Sequence, residues 1–354
     1  MTKKTLIPLL AIILIISVVL SACGKNNASN TPAVSSPSAS SPEPSESAAP
    51  STSAEPPKEE VEIKQILDWF PQTTHGGLYA ASDKGFYKEA GLNVTIEPGG
   101  PQVSATQIVA SGKAQFGITG GDVLLQAREE GIPIVAVAAL LQDSPAALFF
   151  HKGENIKSFE DLNGRKVTAL LFAAYWQYIK SAYKLDKVQE LNYTGQFANF
   201  IADKKSVVQG YITSDVASFK AQGVDVDYLE VTSSGYRPYM SVIFTTEKYA
   251  KEHPDIVKAY VEATVKGWNY YKDNAPEINP TIVANNTSQT VEGLNAEAEL
   301  MKKYVYEGDA AQHSVGYMSA ERWNDTASKL YKVGVLKKEA DVSKVFTSEF
   351  LPKP

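Results

Sequence analysis

Residues 62–98 read EIKQILDWFPQTTHGGLYAASDKGFYKEAGLNVTIEP, in which two β-rich runs flank a helical pattern. The runs are EIKQILD and LNVTIEP, with GLYAASDKGFYKEA between them. Strands separated by helices of this length predict parallel pairing through right-handed crossovers. The alternation continues through AQFGI and DVLLQAREEG to IPIVAVAAL. The predicted fold class is therefore α/β.

The order of the elements predicts two lobes. After residue 150 the alternation begins again and runs to VDYLEV, whereas from Met240 a single strand, MSVIFTT, precedes helical patterns only. Two of these patterns, PDIVKAYVEATVKGWNYYKDN and PEINPTIVANN, predict separate helices on either side of residue 275. A late strand followed by helices indicates that the chain returns to its first half. Residues 61–149 and 240–354 are therefore predicted to form lobe I, and residues 150–239 to form lobe II.

The N-terminus has the features of an export signal. Residues 1–22 combine two lysines with a long apolar run, and a signal peptide is predicted over them. The sequence Leu20-Ser21-Ala22-Cys23 resembles the bacterial lipobox, whose cysteine is acylated and becomes the mature N-terminus. The alternative is a single-pass membrane anchor with an incidental thiol. Because Cys23 lies at the end of the apolar run, it is the predicted lipid anchor.

Residues 23–60 are rich in Ser, Pro and Ala, as in SSPSASSPEPSESAAPSTSAEPP. Such a segment cannot bury enough apolar surface to fold, so a lipidated, disordered tether is predicted at the outer face of a bacterial cell membrane. Cys23 is the only cysteine, which excludes an intramolecular disulfide and a cysteine-clustered metal site. The net charge of −6 gives no basic face for nucleic acid.

Candidate binding residues follow the first predicted strand. Asp68 ends that strand, and the rings of Trp69 and Phe70 could cover a flat ligand while the carboxylate accepts from its amino group. The alternative for Trp69 is a cap on the edge of the core. His75 lies at a predicted helix start, where it is expected to act as a donor or as a helix cap.

A second group of candidates, Thr119, Gly120 and Asp122, follows the strand AQFGI and opens a helix. Free backbone N–H groups at a helix start favour an anion such as a sulfonate, nitrate or phosphate. Asp122 in the first turn would repel such an anion, unless it is simply a helix-starting acid. Together, Asp68 and Asp122 favour a neutral or amine-bearing heterocycle.

These residues lie in segments that resemble a known family. LDWFPQTTHGGLYAASDKGFYKEAGLNVTIEPGG and VASGKAQFGITGGDVLLQAREEGIPIVAVAAL are similar to substrate-binding proteins of ABC importers in the nitrate, sulfonate and thiamine-pyrimidine group. FTTEKYAKEHPDIVKAYVEATVKGWNYY resembles the C-terminal lobe of that family. Within the group, Leu67-Asp68-Trp69-Phe70-Pro71 followed by His75 resembles the branch that binds thiamine pyrimidine precursors and that a eukaryotic pyrimidine synthase shares.

The resemblance implies a type II periplasmic-binding-protein fold, with two α/β lobes joined by a two-strand hinge and a ligand in the cleft between them. The crossings are expected near Phe149–His151 and Pro238–Met240. It also implies further ligand-binding residues. These are one of Tyr175 and Trp176, which cannot both face the cleft, with Tyr211, Asp215 and, at the hinge, Tyr239. The alternative for Asp215 is a helix-starting acid, and Arg237 is a candidate for an anionic ligand group or an ordinary surface residue.

The implied function is that of a lipid-anchored, extracytoplasmic solute-binding protein. It would capture a small planar heterocycle, such as a hydroxymethyl- or formylaminopyrimidine, and pass it to an ABC permease and its ATPase. The alternatives are binding of a riboflavin-like flavin, of a sulfonate or of nitrate, and a sensor subunit that reports to a kinase.

An enzyme like the pyrimidine synthase is the rival from another class. That branch carries a cysteine-rich segment, which this chain lacks, and the sequence has no Ser/His/Asp triad signature, HExxH or phosphate loop. The four histidines are widely spaced and predict no metal site. The prediction is a monomeric binding protein without enzymatic activity, cofactor or metal.

Overall fold

The structure, a computed structural model, describes residues 60–353. The predicted signal peptide, Cys23 and nearly all of the predicted tether lie outside the described residues. The strands of the described part are β1 (Val61–Ile66), β2 (Leu92–Glu97), β3 (Phe116–Thr119), β4 (Ile134–Leu141), β5 (Ala146–His151), β6 (Lys166–Ala169), β7 (Gln189–Asn192), β8 (Val207–Tyr211), β9 (Val226–Glu230) and β10 (Met240–Thr246).

The helices of residues 60–353 alternate with the strands up to β10 and then follow one another. They are α1 (Gly76–Asp83), α2 (Phe86–Glu89), α3 (Ala105–Ala110), α4 (Gly121–Glu129), α5 (Ala174–Ala182), α6 (Ala198–Ala202), α7 (Asp215–Ala221), α8 (Glu247–Glu252), α9 (Pro254–Asn285), α10 (Val291–Tyr306), α11 (Asp309–Gln312) and α12 (Ala320–Lys332). Short 3₁₀ turns occur at Thr73–His75, Phe159–Leu162, Val231–Ser234 and Val342–Lys344. None of these helices is apolar over a length that would span a bilayer.

The first sheet has the strand order β2-β1-β3-β10-β4. β1 pairs in parallel with β2 and β3, whereas β10 is antiparallel to β3 and β4. All eight side chains of β4, IVAVAALL, are buried. Val137 and Leu140 belong to one core cluster and Ala136 and Ala139 to another, because both faces of the sheet are covered.

The second sheet, of order β7-β6-β8-β5-β9, is built from one continuous stretch of chain. The chain leaves the first sheet after Leu141, enters the second at Ala146, and returns between Glu230 and Met240. The crossing predicted near Phe149–His151 therefore falls inside β5. An unbroken apolar run such as AALFFH does not mark where one sheet ends, since a strand buried on both faces has the same pattern.

The long helix α9 forms much of the packing on the first sheet. The sequence patterns predict separate helices before and after residue 275, and α9 accordingly consists of two helical segments that meet at a kink, where Asn274 has non-helical angles (φ −127°, ψ 23°). The kink precedes Pro276, which cannot donate the next helical hydrogen bond. α9 lies close against α1, since a Cβ atom at Gly267 would approach the carbonyl oxygen of Gly77 to 2.1 Å.

A three-residue ion-pair network holds the two segments that connect the sheets. Arg237, on the returning segment, donates from Nε to Asp143 Oδ1 on the outgoing segment at 2.9 Å. Arg322 of α12 donates from Nη2 to the same oxygen at 2.8 Å and from Nε to the carbonyl of Arg237 at 2.9 Å. We call these three residues the crossing clasp. α12 is therefore fixed to both connections at once.

Candidate ligand-binding site

The predicted binding residues lie where strands end and helices begin. β1 ends just before Asp68, β3 ends at Thr119, and β8 ends at Tyr211. Open α/β sheets bind ligands beyond the carboxyl ends of their strands. These ends therefore define the candidate site.

Asp68 is held by a buried histidine. Nε2 of His75 lies 2.8 Å from Asp68 Oδ1. His75 is fully buried, at the end of the 3₁₀ turn Thr73–His75, and its side chain caps no helix amide. His75 was expected as a donor or a helix cap: it occupies the N-cap position of α1, but its ring makes no capping hydrogen bond and, being enclosed, faces Asp68. Its role is to orient the half-buried carboxylate of Asp68.

Trp69 and Phe70 are exposed although both are large aromatic residues. Their relative exposures are 41% and 46%. The two rings pack edge to face with centroids 5.7 Å apart. The backbone of Trp69 is fixed because its carbonyl accepts a hydrogen bond from the Gly99 N–H at 3.0 Å. Trp69 therefore does not cap the core, and the pair offers ring surface on a fixed loop.

The start of α4 has its amides already in use. Gly121 N–H donates to the carbonyl of Tyr239, and Val123 N–H donates to Asp122 Oδ1 at 2.8 Å. Thr119 is buried within β3, and Gly120 is the N-cap of α4. Since the helix-start N–H groups are taken, this turn is not set up for an anion. Asp122 Oδ2 accepts from the hydroxyl of Tyr236 at 2.9 Å, while burial raises the pKa of Asp122.

The second sheet contributes Tyr211 and Asp215. Asp215 Oδ2 accepts from the backbone N–H of Tyr211 at 2.7 Å, which ties the strand end to the start of α7. Burial raises the pKa of Asp215. As a whole residue, Tyr211 is 37% exposed. Asp215 is therefore a helix-starting acid whose carboxylate is turned back to the strand end.

Of Tyr175 and Trp176, the structure brings Tyr175 to this end of the sheet. Its hydroxyl donates to Gln209 Oε1, and burial followed by the nearby Tyr211 raises its pKa. Trp176 is fully buried, and its Nε1 donates to Glu190 Oε1 at 2.6 Å. Trp176 is a core residue of α5, so its candidacy as a ligand contact is corrected.

Tyr239 is also in the core. It is 1% exposed, its hydroxyl accepts from the Ser319 N–H at 2.9 Å, and its ring packs on Trp323 with centroids 5.7 Å apart. The predicted ligand contact at Tyr239 is therefore not available. Tyr236, a few residues earlier, reaches Asp122 instead and stacks on Tyr178.

Tyr211 shows that the two sheets contribute to one space. Partial burial of Tyr211 raises its pKa first, followed by the negative charges of Asp68 and Asp215 and, further down, that of Asp122. Asp68 and Asp122 belong to the first sheet, and Asp215 belongs to the second. Carboxylates act on a phenol in this way only at short range. The charges of acidic groups from both sheets therefore act on the same phenol.

Glu297 of α10 was missed by the sequence analysis. Its Oε2 accepts from the hydroxyl of Thr73 at 2.8 Å. Burial, with a further contribution from the charge of Asp215, raises the pKa of Glu297 to about 7. In the sequence, AEAEL reads as part of an ordinary amphipathic helix. Only the packing of α10 against the turn Thr73–His75 distinguishes Glu297 from the neighbouring surface acids.

A family model described as NMT1/THI5 like matches residues 72–278, more than half of the chain. The chain belongs to the NMT1/THI5-like family. The matched segment contains Asp122, Tyr175, Tyr211 and Asp215, but it begins after Asp68, Trp69 and Phe70 and ends before Glu297.

Relatives and a solved structure agree with this assignment. The NMT1/THI5-like chain is 26% identical over 337 residues to the riboflavin-binding protein RibY of Chloroflexus aurantiacus, covering 90% of this chain and 94% of the relative. It is 23% identical over 283 residues to a formylaminopyrimidine-binding protein of Halalkalibacterium halodurans, covering 76% and 84%. The periplasmic aliphatic sulphonate binding protein SsuA from Escherichia coli has a TM-score of 0.63 at 12% identity, covering 80% of this chain and 96% of that one. The predicted family resemblance and periplasmic-binding-protein fold are confirmed.

The site of this NMT1/THI5-like protein has an acidic charge balance. Within residues 60–353, Asp122, Asp215 and Glu297 have no Lys or Arg at ion-pairing distance, and Asp68 pairs only with His75. Arg237, the predicted candidate for an anionic group, is paired with Asp143 in the crossing clasp. In the same part of the chain, no cluster of His, Cys, Asp and Glu has the arrangement of a metal site. The arrangement can therefore accept hydrogen bonds and offer ring faces.

Proposed function

We propose that this chain is the substrate-binding protein of an ABC importer and that it binds a small planar nitrogen heterocycle bearing amino or ring N–H donors. A pyrimidine of the thiamine-precursor type, such as hydroxymethyl- or formylaminopyrimidine, is the leading ligand. The observation that carries this proposal is a set of carboxylates from both sheets, Asp68 and Asp122 on the first and Asp215 on the second, which within residues 60–353 have no Lys or Arg at ion-pairing distance. The formylaminopyrimidine-binding relative supports the ligand class.

The proposed site binds without covalent chemistry. Carboxylate oxygens of Asp68, Asp122 and Asp215 accept from amino and ring N–H groups, while Trp69 and Tyr211 offer ring faces for stacking. A ligand that contacts side chains from both sheets binds the closed form more tightly than the open form, and so it shifts the population towards closure. The chain acts as a receptor, and the permease and ATPase are separate proteins.

A thermal-shift screen of the purified protein tests the ligand class. The compounds are hydroxymethylpyrimidine, formylaminopyrimidine, riboflavin, taurine and nitrate. A ligand at a hundred times its Kd adds about 2.7 kcal/mol to the free energy of unfolding. We expect a rise in Tm with the pyrimidines and none with taurine or nitrate. A rise with taurine or nitrate alone contradicts the proposal.

A pair of variants tests the location of the site. Asp215→Asn removes a site charge, whereas Asp227→Asn removes a charge from an exposed position on β9 of the same sheet. We expect the first to weaken pyrimidine binding at least tenfold and the second to leave the Kd within twofold. Equal effects of the two would place the ligand elsewhere.

Riboflavin is the second candidate, because the riboflavin-binding relative covers 90% of this chain. The exposed rings of Trp69 and Phe70 suit an isoalloxazine as well as a pyrimidine. Flavin fluorescence is quenched when the ring system stacks on Trp or Tyr, so a titration of free riboflavin reads its binding directly. Quenching with a rise in Tm for riboflavin, and no response to either pyrimidine, would transfer the proposal to a flavin.

We further propose that the protein is monomeric, lacks enzymatic activity and is held outside the cell membrane by a lipid on Cys23. The support is the lipobox-like sequence that ends at Cys23 and the Ser/Pro/Ala-rich stretch after it. Cys23→Ser should abolish incorporation of labelled palmitate and move the protein from the membrane fraction to the medium. Retention of both label and membrane association would refute the anchor.

A further inference from the structure

We propose that Glu297 is a specificity-determining residue of the candidate site and that it selects heterocycles carrying a positively charged amine. This inference rests on the proposed function, because the site it refers to is the one described above, and it ranks an amine-bearing pyrimidine above the uncharged hydroxymethyl- and formylaminopyrimidines named there. Nothing in the family match covers Glu297, since the match ends at residue 278.

The position of Glu297 is set by the same turn that holds Asp68. Thr73, which is 2% exposed, donates to Glu297 Oε2 at 2.8 Å, and His75 of the same 3₁₀ turn lies 2.8 Å from Asp68 Oδ1. A single turn of chain therefore orients two carboxylates. The other oxygen of Glu297, Oε1, accepts no hydrogen bond from any residue between 60 and 353.

The charged and titratable groups that face Glu297 are acidic or neutral. Asp215 of α7, on the second sheet, contributes through its negative charge. Tyr271 of α9 responds to the charge of Glu297, and its hydroxyl donates to Asn279 Oδ1 at 2.7 Å. Along α10, Glu299 is paired with Lys302. Glu297 therefore has an unpaired oxygen and no compensating cation in the described part of the chain.

This arrangement favours a cation over a neutral ligand of equal shape. Half-buried carboxylates near one another repel and lose hydration, so an empty site carries an electrostatic cost. An ammonium group on the ligand removes that cost, whereas an uncharged group leaves it in place. Selectivity of this kind arises from a penalty against the wrong ligand as well as from attraction to the right one.

The experiment uses two pyrimidines that differ in one group. The first is 4-amino-5-aminomethyl-2-methylpyrimidine, whose primary amine is protonated at pH 7, and the second is its uncharged N-formyl derivative. Their Kd values for the full chain are measured by isothermal titration calorimetry at pH 7.5. We expect the amine to bind at least tenfold more tightly, a difference of about 1.4 kcal/mol.

Three variants assign that preference to Glu297. Glu297→Gln should reduce the preference for the amine at least fivefold, mainly by weakening binding of the amine. Thr73→Val should act in the same direction, because it removes the hydroxyl that holds the Glu297 carboxylate. Glu299→Gln, an exposed acid on the same helix, should leave the preference unchanged.

Equal binding of the two compounds to the unaltered protein, or an unchanged preference in Glu297→Gln, overturns the inference and leaves the proposed function standing. Failure of both compounds to bind overturns the proposed function, and the inference with it.

Discussion

Trp69 and Phe70 show why exposure matters at the scale of single residues. Both rings are more than two-fifths exposed on a loop whose backbone is hydrogen-bonded in place. We predict that Trp69→Ala weakens pyrimidine binding roughly tenfold, since a stacked ring contributes about 0.5 to 1.5 kcal/mol beyond the area it buries. Calorimetric titration measures the change. Tyr331→Ala, which removes an exposed ring from α12, is the control and should not alter the Kd.

Glu297 gives a prediction about pH. Its ordinary pKa of 4.5 is raised to about 7 in the folded protein, so between these values the folded state binds more protons than the unfolded state. Stability contributed by the protonated form is present below about pH 4.5 and is lost as the pH rises through 7.

Glu297→Gln should remove this loss. The variant is expected to be more stable than the unaltered protein at pH 8 by about 1 to 2 kcal/mol, allowing for partial exposure, and to differ little at pH 4.5. Denaturant unfolding at several pH values measures the difference. A stability difference between the two proteins that stays constant across the pH range would show that the Glu297 carboxyl does not titrate between pH 4.5 and 8.

The positions of site residues were predictable from the sequence only where a local strand or helix pattern determines them. Asp68 was expected after a strand and Asp122 in the first turn of a helix, and the structure has them there. Trp176, from the pair of which one member was predicted to face the cleft, and Tyr239 are both buried in the core. An aromatic residue in a helix or a connection has the same sequence signature whether it faces a groove or the core. Glu297 could not be found at all, because its partner Thr73 is 224 positions away along the chain.

At the scale of elements, the contact between α1 and α9 depends on a glycine, which has no side chain to separate the two helices. A Cβ atom at Gly267 would lie 2.1 Å from a backbone oxygen and 2.7 Å from the Cβ of Ala81. We predict that Gly267→Ala destabilises the protein by about 1 to 3 kcal/mol through overpacking. Thermal or denaturant unfolding tests this value.

Gly293→Ala is the matched control. In the first turn of α10 an added methyl group would meet only the hydroxyl of Thr290. Its effect should stay below about 1 kcal/mol, because alanine also has the higher helix propensity. If both substitutions lower the stability equally, then α1 and α9 do not pack with their backbones in contact at Gly267.

The elements themselves were largely predictable, whereas their limits were not. Alternating runs marked every strand of the first sheet because β-rich and helical periods differ clearly. The sequence patterns end one helix before Pro276 and begin another at it, and α9 is kinked at this point. In the structure the chain kinks at Asn274 and continues, because buried residues on both sides of the kink pack on the same core.

At the scale of the whole molecule, the crossing clasp joins the connections between the sheets. Arg322→Gln should leave Asp143 with Arg237 alone and should lower stability by about 1 to 3 kcal/mol, the usual value of hydrogen bonds to a charged group. Lys332→Gln, at an exposed position on the same helix, should change stability by less than about 0.5 kcal/mol. Equal stability of the two variants would mean that the clasp contributes nothing.

The second sheet begins and ends at neighbouring points, since Ala147 at the start of β5 pairs with Glu230 at the end of β9. Because its two ends are adjacent, this stretch can be replaced by a homologous one without changing the path of the rest of the chain. Recombination between related genes could therefore exchange residues 146–230 as one cassette, carrying Tyr175, Tyr211 and Asp215 to a new host while Asp68 and Glu297 stay behind. In such a chimera we expect the ligand preference to depend on both parents, because each supplies part of the binding residues.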